Sequence, residues 1–260
     1  MVGLSHGHVR VGESRTIGQR LRSVSFTLFR QIYGTEYWGY NKAAFLPIVR
    51  DALAASPGLV VDAACGYRNA YLEDIDVEES IGIDLDDSVR AKNKHHSNFV
   101  FQDMHEKLEL RDVAAIISVD TWEHLQEPEK VLGNFSKVRK EGGPLIIVAP
   151  QRYYFISLVT LVLPSAVQDL AWRLAKGRDR MPFPAYYRLC DRRALARAAA
   201  ETGFDLVEYR AHDMASSWFL KVPPVFLLMC GWMSLVNRFA IFAPLRSSFV
   251  AVLRKRPTGG

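Results

Sequence analysis

Leu59-Val60-Val61-Asp62-Ala63-Ala64-Cys65-Gly66 is the stretch on which the fold turns. Three consecutive apolar residues read as a short strand covered on both faces, and an acid with a small-residue turn follows at once. The same grammar returns in Ser80-Ile81-Gly82-Ile83-Asp84 and in Phe99-Val100-Phe101, which runs into Gln102-Asp103. It returns again in Val113–Ser118, followed by Val119-Asp120, and a fifth apolar run covers Pro144–Ala149. Between the strands the period becomes helical, most plainly over Pro128–Arg139, where Val131, Leu132, Phe135 and Val138 share a face. Buried strands alternating with helices predict a parallel α/β sheet with right-handed crossovers.

Working outward, Ile17, Leu21, Val24, Leu28 and Ile32 recur every three or four positions, which predicts an amphipathic helix over Thr16–Tyr33. A second helix is predicted over Lys42–Ala55, ending near Pro57-Gly58. Residues 1–14, with His6 and His8, have no period and read as a flexible start. Beyond the fifth strand, residues 151–190 form an apolar, aromatic and basic insertion. A helix over Asp191–Thr202 stops at Gly203, and a sixth strand covers Phe204–Tyr209. The segment Trp218–Leu245 is apolar throughout, and Ser247–Leu253 reads as the last strand.

Composition narrows the class. The 260 residues are 49% hydrophobic and 23% charged, which excludes a disordered, collagen-like or disulfide-scaffold chain. Cys65, Cys190 and Cys230 are far apart and lack metal spacing, so no metal site is expected, and the reading is a reducing cytoplasm. Net charge is +5, split as +4 over residues 1–60, −8 over 61–150 and +9 over 151–260. An acidic centre between basic ends argues against nucleic acid as partner. The charge-free runs Tyr153–Gln168 and Val222–Asn237 are 16 residues each, short of the roughly 20 that span a bilayer. Peripheral contact with the inner face of a membrane and a homodimer both stay open for these runs. The histidine pair His95-His96 reads as an exposed loop.

In an open parallel sheet ligands sit at the carboxyl ends of the strands, near the switch point. Asp62, Asp84, Asp103 and Asp120 stand at four such ends. Val60–Gly66 resembles the first motif of class I S-adenosylmethionine (SAM)-dependent methyltransferases, and Asp84 falls where that family places its ribose-binding acid. Asp103 matches the acid facing the adenine amino group. Asp120-Thr121-Trp122-Glu123-His124-Leu125 with Glu127-Pro128 resembles the family's "EH…P" segment, and Lys140–Leu145 its "KPGG-x-L" turn. Two positions depart from the pattern: Ala64 replaces the first glycine of the turn, and Arg68 stands near the third. Gly66-Tyr67-Arg68-Asn69-Ala70-Tyr71 and Pro184-Ala185-Tyr186-Tyr187-Arg188 are similar to a type 11-like bacterial subgroup often encoded with cell-envelope glycan genes.

The resemblance implies a Rossmann-like, mostly parallel seven-stranded α/β sheet with helices on both faces and an inserted helical C-terminal lobe. It divides the chain into N-terminal helices covering the cofactor site (1–58), a SAM-binding core (59–150) and an acceptor-site lobe that completes the sheet (151–260). It further implies SAM as cofactor, with S-adenosylhomocysteine as product. Asp62, Ala64 and Gly66 would meet the methionine and ribose portion, Asp84 the ribose hydroxyls, Leu85 and Met104 the adenine faces, and Asp103 its amino group. Ser118 and Val119 would lie near the sulfonium. Tyr37 is either a cation–π partner of the sulfonium or core. His124 is the candidate base for a hydroxyl acceptor, since imidazole titrates near neutrality. Tyr186, Tyr187 and Arg188 are candidates for an acceptor lid. The expected activity is methyl transfer, most simply to oxygen, on a small-molecule, glycan or lipid-linked acceptor. A nicotinamide oxidoreductase is the competing reading, but Arg68 interrupts G-x-G-x-x-G and no Tyr-x-x-x-Lys follows the fourth strand. A non-catalytic SAM-binding protein is the other.

Overall fold

The computed structural model describes residues 16–96, 98–164, 167 and 184–257. The reading of residues 1–14, and that of 165–166 and 168–183 within the 151–190 insertion, therefore fall outside the described residues. The strands are β1 (Leu59–Ala63), β2 (Glu79–Asp84), β3 (Asn98–Phe101), β4 (Ala115–Val119), β5 (Pro144–Pro150), β6 (Phe204–His212) and β7 (Ser248–Lys255). They form one seven-stranded mixed sheet, mostly parallel, in the order β3-β2-β1-β4-β5-β7-β6. Only β7 runs antiparallel, against both β5 and β6. The order reverses between β1 and β4, so the carboxyl ends of these two strands flank the switch-point crevice of a Rossmann-like fold.

Alternation along the strands sorts side chains to two faces. On one face, Leu145 and Ile147 of β5 pack with Val131, Leu132 and Phe135 of α4 (Pro128–Val138) and Leu195 of α6 (Arg192–Glu201). On the other, Ile146 and Val148 pack with Phe45, Val49 and Leu53 of α2 (Gly39–Ala54). Helix α2 thus begins three residues before its predicted start.

Three findings differ from expectation. The β1–β2 crossover carries a 3₁₀ turn, Leu72–Asp74, in place of a helix, and the β2–β3 crossover carries only α3 (Val89–Lys92). Helix α1 (Ile17–Tyr33) is present, capped by Thr16 at its start and by Gly34 (φ 67°) at its end, but it is rotated from the predicted facing. Its aliphatic stripe Ile17, Leu21, Val24 and Ile32 is exposed, while Ser25 and Phe29 are buried. The aromatic side took the interior: Phe29 lies among Tyr33, Tyr37, Tyr40 and Phe226, and rings bury more surface than aliphatic side chains. The partner is α7 (Pro223–Arg238), whose Cys230 carbonyl accepts from the Tyr33 hydroxyl (2.8 Å), while the Ser25 hydroxyl donates to the Leu220 carbonyl just before it (2.9 Å). The third correction concerns His96, which is buried under the sheet edge. Helix α5 (Phe155–Val162) follows β5.

Candidate functional site

The ends of β1 and β2 are held by a closed hydrogen-bond network. Asp62 is buried; its Oδ1 accepts from Asn69 Nδ2 (2.8 Å) and its Oδ2 lies 3.0 Å from His96 Nε2. The other ring nitrogen of His96 is 2.9 Å from Ser80 Oγ. Room for that ring depends on Gly82, where a Cβ would stand 3.0 Å from His96 Cδ2 and 2.7 Å from Cys65 Sγ. Burial, with Asp62 and Asp84 nearby, pushes the Cys65 thiol up to about 12, so it is no nucleophile near neutral pH.

The turn after β1 places Ala64 (φ 59°) and Gly66 (φ 50°) in the left-handed region. Gly66 N–H donates to Asp84 Oδ2 (2.9 Å), Asp86 N–H to Asp84 Oδ1 (3.0 Å), and Asn93 Nδ2 to the Gly66 carbonyl (2.9 Å). A Cβ on Gly66 would meet nothing within 4 Å, and the neighbouring Leu85 is 73% exposed. A fixed carboxylate beside an open glycine floor and an uncovered apolar side chain suits a ribose and a flat base. Asp103 lies beyond β3. Burial alone would raise it, but the His105 N–H (2.9 Å) and ring Nδ1 (2.7 Å) hold it below the usual carboxylate range.

The end of β4 is built differently. Asp120 has φ 51°, with its N–H on the Val148 carbonyl (2.8 Å), and leads into a 3₁₀ turn, Trp122–His124. Asp120 is exposed at the strand end, and desolvation by the surrounding protein pushes its carboxyl up to about 6. Glu123 is buried; burial first, and then the Asp120 charge, push it up to about 8. Glu123 Oε2, Ser118 Oγ and Trp122 Nε1 are all buried without a hydrogen-bond partner. His124 Nδ1 is 2.8 Å from the Pro184 carbonyl, which can only accept, so this nitrogen carries the proton. That leaves Nε2 as the accepting nitrogen of the neutral ring, 3.6 Å from Glu123 Oε1.

The segment 184–188 is pinned across this turn. The Tyr186 and Tyr187 N–H groups donate to the Glu123 carbonyl (2.6 and 3.1 Å), and Gln126 Nε2 donates to the Tyr186 hydroxyl (2.6 Å). Tyr187 has φ 50°; burial pushes its phenol up to about 12, and the hydroxyl faces Ser157 and Thr160 of α5. Of the four non-glycine residues with positive φ among the described residues, Ala64, Asp120 and Tyr187 lie at these loops, the places where strain is held for function.

The sequence candidates therefore fall into groups. Asp62, Ala64, Gly66, Asp84 and Leu85 gather around the β1–β2 ends. His124, Tyr186 and Tyr187 gather around the β4 end, with Arg188 exposed beside them. Ser118 is buried and Val119 half-buried on β4 itself. Met104 is buried in the core on the α4 side, and its carbonyl accepts from Asn134 Nδ2 (3.0 Å). Tyr37 is placed as the core alternative has it: 1% exposed, edge-on to Phe29, with its hydroxyl on the Ala215 carbonyl (2.5 Å). Sequence reasoning missed Asn69, His96 and Asn93. It quoted Asp120 and Glu123 for their motif without giving them a chemical part. No group of three or more His, Cys, Asp or Glu is placed to hold a metal ion among the described residues.

A family described as a methyltransferase domain matches residues 37–209, more than half of the chain. No curated protein matches the chain in sequence. Its fold is similar to that of an S-adenosylmethionine-dependent methyltransferase from Mesorhizobium loti (TM-score 0.55, 14% identity, covering 82% of this chain and 98% of that one). The cyclopropane synthase MmaA2 from Mycobacterium tuberculosis is also similar (0.52, 14%, 82% and 84%). So is the [4+2]-cyclase SpnF (0.55, 15%, 94% and 98%). Identities this low speak for the fold alone, and the fold hosts more than one chemistry.

Proposed function

Because the chain belongs to the methyltransferase domain family, with S-adenosylmethionine as its cofactor, we propose that it methylates a hydroxyl of a small-molecule, glycan or lipid-linked acceptor, with His124 as the base. The cofactor, when bound, supplies an electrophilic sulfonium methyl. Asp84, Gly66 and Leu85 would hold its nucleoside, and Asp103 its base edge. Asp62 spends both carboxylate oxygens on Asn69 and His96, so its part is to stiffen the turn that carries Ala64 and Gly66.

The observation that carries the oxygen reading is the 2.8 Å contact between His124 Nδ1 and the Pro184 carbonyl. Because a carbonyl can only accept, Nδ1 carries the proton of the neutral ring, and Nε2, 3.6 Å from Glu123 Oε1, is the nitrogen of that ring able to take a proton from an acceptor hydroxyl. Glu123, held neutral by burial up to about pH 8, keeps a competing negative charge off the reacting oxygen. A general base of this kind is worth about 10²–10⁴-fold in rate. The acceptor would enter between the β4 end and the 184–188 segment.

The test is His124→Ala, with SAM affinity measured by titration calorimetry and turnover by transfer of labelled methyl to cell-envelope extracts. We expect turnover to fall about 10²–10⁴-fold while SAM affinity and the unfolding midpoint hold. If folding and SAM binding collapse together, His124 is a structural residue and the base assignment fails.

A further inference from the structure

We propose that α1, α5, α7 and the 3₁₀ segment Ala240–Leu245 form a face that docks on an anionic lipid bilayer. The first observation is that three helices turn apolar stripes outward. Helix α7 buries Phe226, Cys230 and Met233 in a cluster with Phe29 of α1 and exposes the opposite line of Leu228, Gly231 and Leu235. That line runs on into Phe239 and Ile241, which are 47% and 82% exposed. Helix α1, packed alongside, exposes Ile17, Leu21 and Val24 at one-turn spacing.

Helix α5 is inverted outright. Ser157 is its buried residue, while Leu158, Val159, Leu161 and Val162 face outward. A helix that meets water on its outer side carries its polar residues there. This one turns Ser157 and Thr160 inward to the Tyr187 hydroxyl and its aliphatic side chains outward. The segments adjoin: Gln151 Nε2 donates to the Ala243 carbonyl (2.7 Å), and Tyr154, the residue before α5, faces Ser216. Apolar surface of this extent, on neighbouring elements, marks an interaction site.

Charge chooses the occupant. From Met214 to the end of the chain there is no Asp or Glu, while Lys221 and Arg238 flank and end α7. Helix α1 carries Arg20, Arg22 and Arg30, the last paired with Glu36 just past the helix (3.4 Å), and α5 has no charge at all. Arg20 borders a groove of about 310 Å³ on α1 whose other walls include Val24, Thr27 and Leu28. Apolar stripes edged by an excess of cations match a headgroup layer of phosphates over acyl chains. No helix among the described residues is long and apolar enough to cross a membrane, so the fitting mode is in-plane attachment.

The experiment is flotation of the full chain with vesicles of phosphatidylcholine alone and of phosphatidylcholine mixed with phosphatidylglycerol. Binding is expected to the mixed vesicles, weakening as salt is raised, with little to phosphatidylcholine alone. The double substitution Leu228→Glu/Ile241→Glu is expected to weaken binding at least about tenfold. Calorimetric SAM affinity, unchanged in that variant, would show that it folds and would keep this result separate from the methyltransferase reading. The proposal is overturned if the mixed vesicles do not float the protein, or if the double variant floats as well as the parent. It is also overturned if sedimentation shows a dimer that the double variant converts to monomer, since the face would then join two copies of the chain.

Discussion

The ends of β1 and β2 and the end of β4 border the same crevice, yet they treat their polar groups in opposite ways. At the first, Asp62, Asn69, Asp84, Asn93 and His96 are tied to one another or to backbone, with contacts of 2.8–3.0 Å. At the second, Ser118 Oγ, Trp122 Nε1 and Glu123 Oε2 are buried and unsatisfied, and two carboxyls are raised well above their ordinary values. A site that must hold one fixed shape gains from donors and acceptors that are already committed, because binding then costs little reorganisation. A site that must move a proton needs groups whose protonation is poised by their surroundings. The contrast is between a rigid cradle and a reactive edge.

The largest expected effect tests the cradle. Asp62→Ala leaves Asn69 Nδ2 and His96 Nε2 buried without an acceptor, at a cost of about 2–5 kcal/mol in stability. Denaturant unfolding of the variant measures this. A loss under about 1 kcal/mol, the level of a surface change, would mean the network is not what holds the turn.

The reactive edge should respond the other way. Glu123 binds a proton in the folded state up to about pH 8, against 4.5 for the ordinary carboxyl. Between those values the folded protein holds a proton that the unfolded chain has released, so stability is full below 4.5 and falls as pH rises through 8. Other groups overlap only in the lower part of this window. Asp120 and Asp213 are raised to about 6, and His212 is lowered to about 4 from 6.5. The interval from pH 6.5 to 8 is therefore governed chiefly by Glu123, and stability should drop there by about 2 kcal/mol. Glu123→Gln keeps the shape and removes the titration, so its unfolding midpoint should stay flat over that interval. An identical slope in parent and variant would remove Glu123 as the source.

The sequence carried the cradle further than the edge, for physical reasons. Strands β1, β2, β4 and β5 announced themselves as apolar runs, and the acids at their ends follow from strand direction. Asp84 and Gly66 were legible because a carboxylate and a small-residue turn at strand ends have few other uses. His96 was not, because a histidine beside another in a polar loop gives no sign that its ring turns under the sheet to Asp62. The visible trace was Gly82, a glycine inside a strand, which marks a close approach. At the edge, Asp120 and Glu123 stood in plain view, but the burial of Glu123 and the packing around Asp120 that shift them are set by the fold, which a single sequence does not show. Helix α1 was misfaced because two overlapping stripes were present, aliphatic and aromatic, and only its packing against α7 chose between them.

The smallest effect concerns Ala64, where the cradle departs from the glycine of its relatives. A left-handed conformation costs a residue with a Cβ about 1–2 kcal/mol. Glycine would remove that cost but lose about 0.5–1 kcal/mol through the greater freedom of the unfolded chain. The Ala64 methyl also packs partly against the core, which offsets a little more. The balance favours Ala64→Gly by about 0.5 kcal/mol, readable as a small rise in the denaturant midpoint. Because the turn is clamped by the Gly66–Asp84 and Asn93–Gly66 hydrogen bonds, SAM affinity should change less than stability does. A variant that gains stability but loses affinity would instead mean that the clamps do not fix the turn alone. The strained alanine would then be part of what shapes the cradle for its ligand.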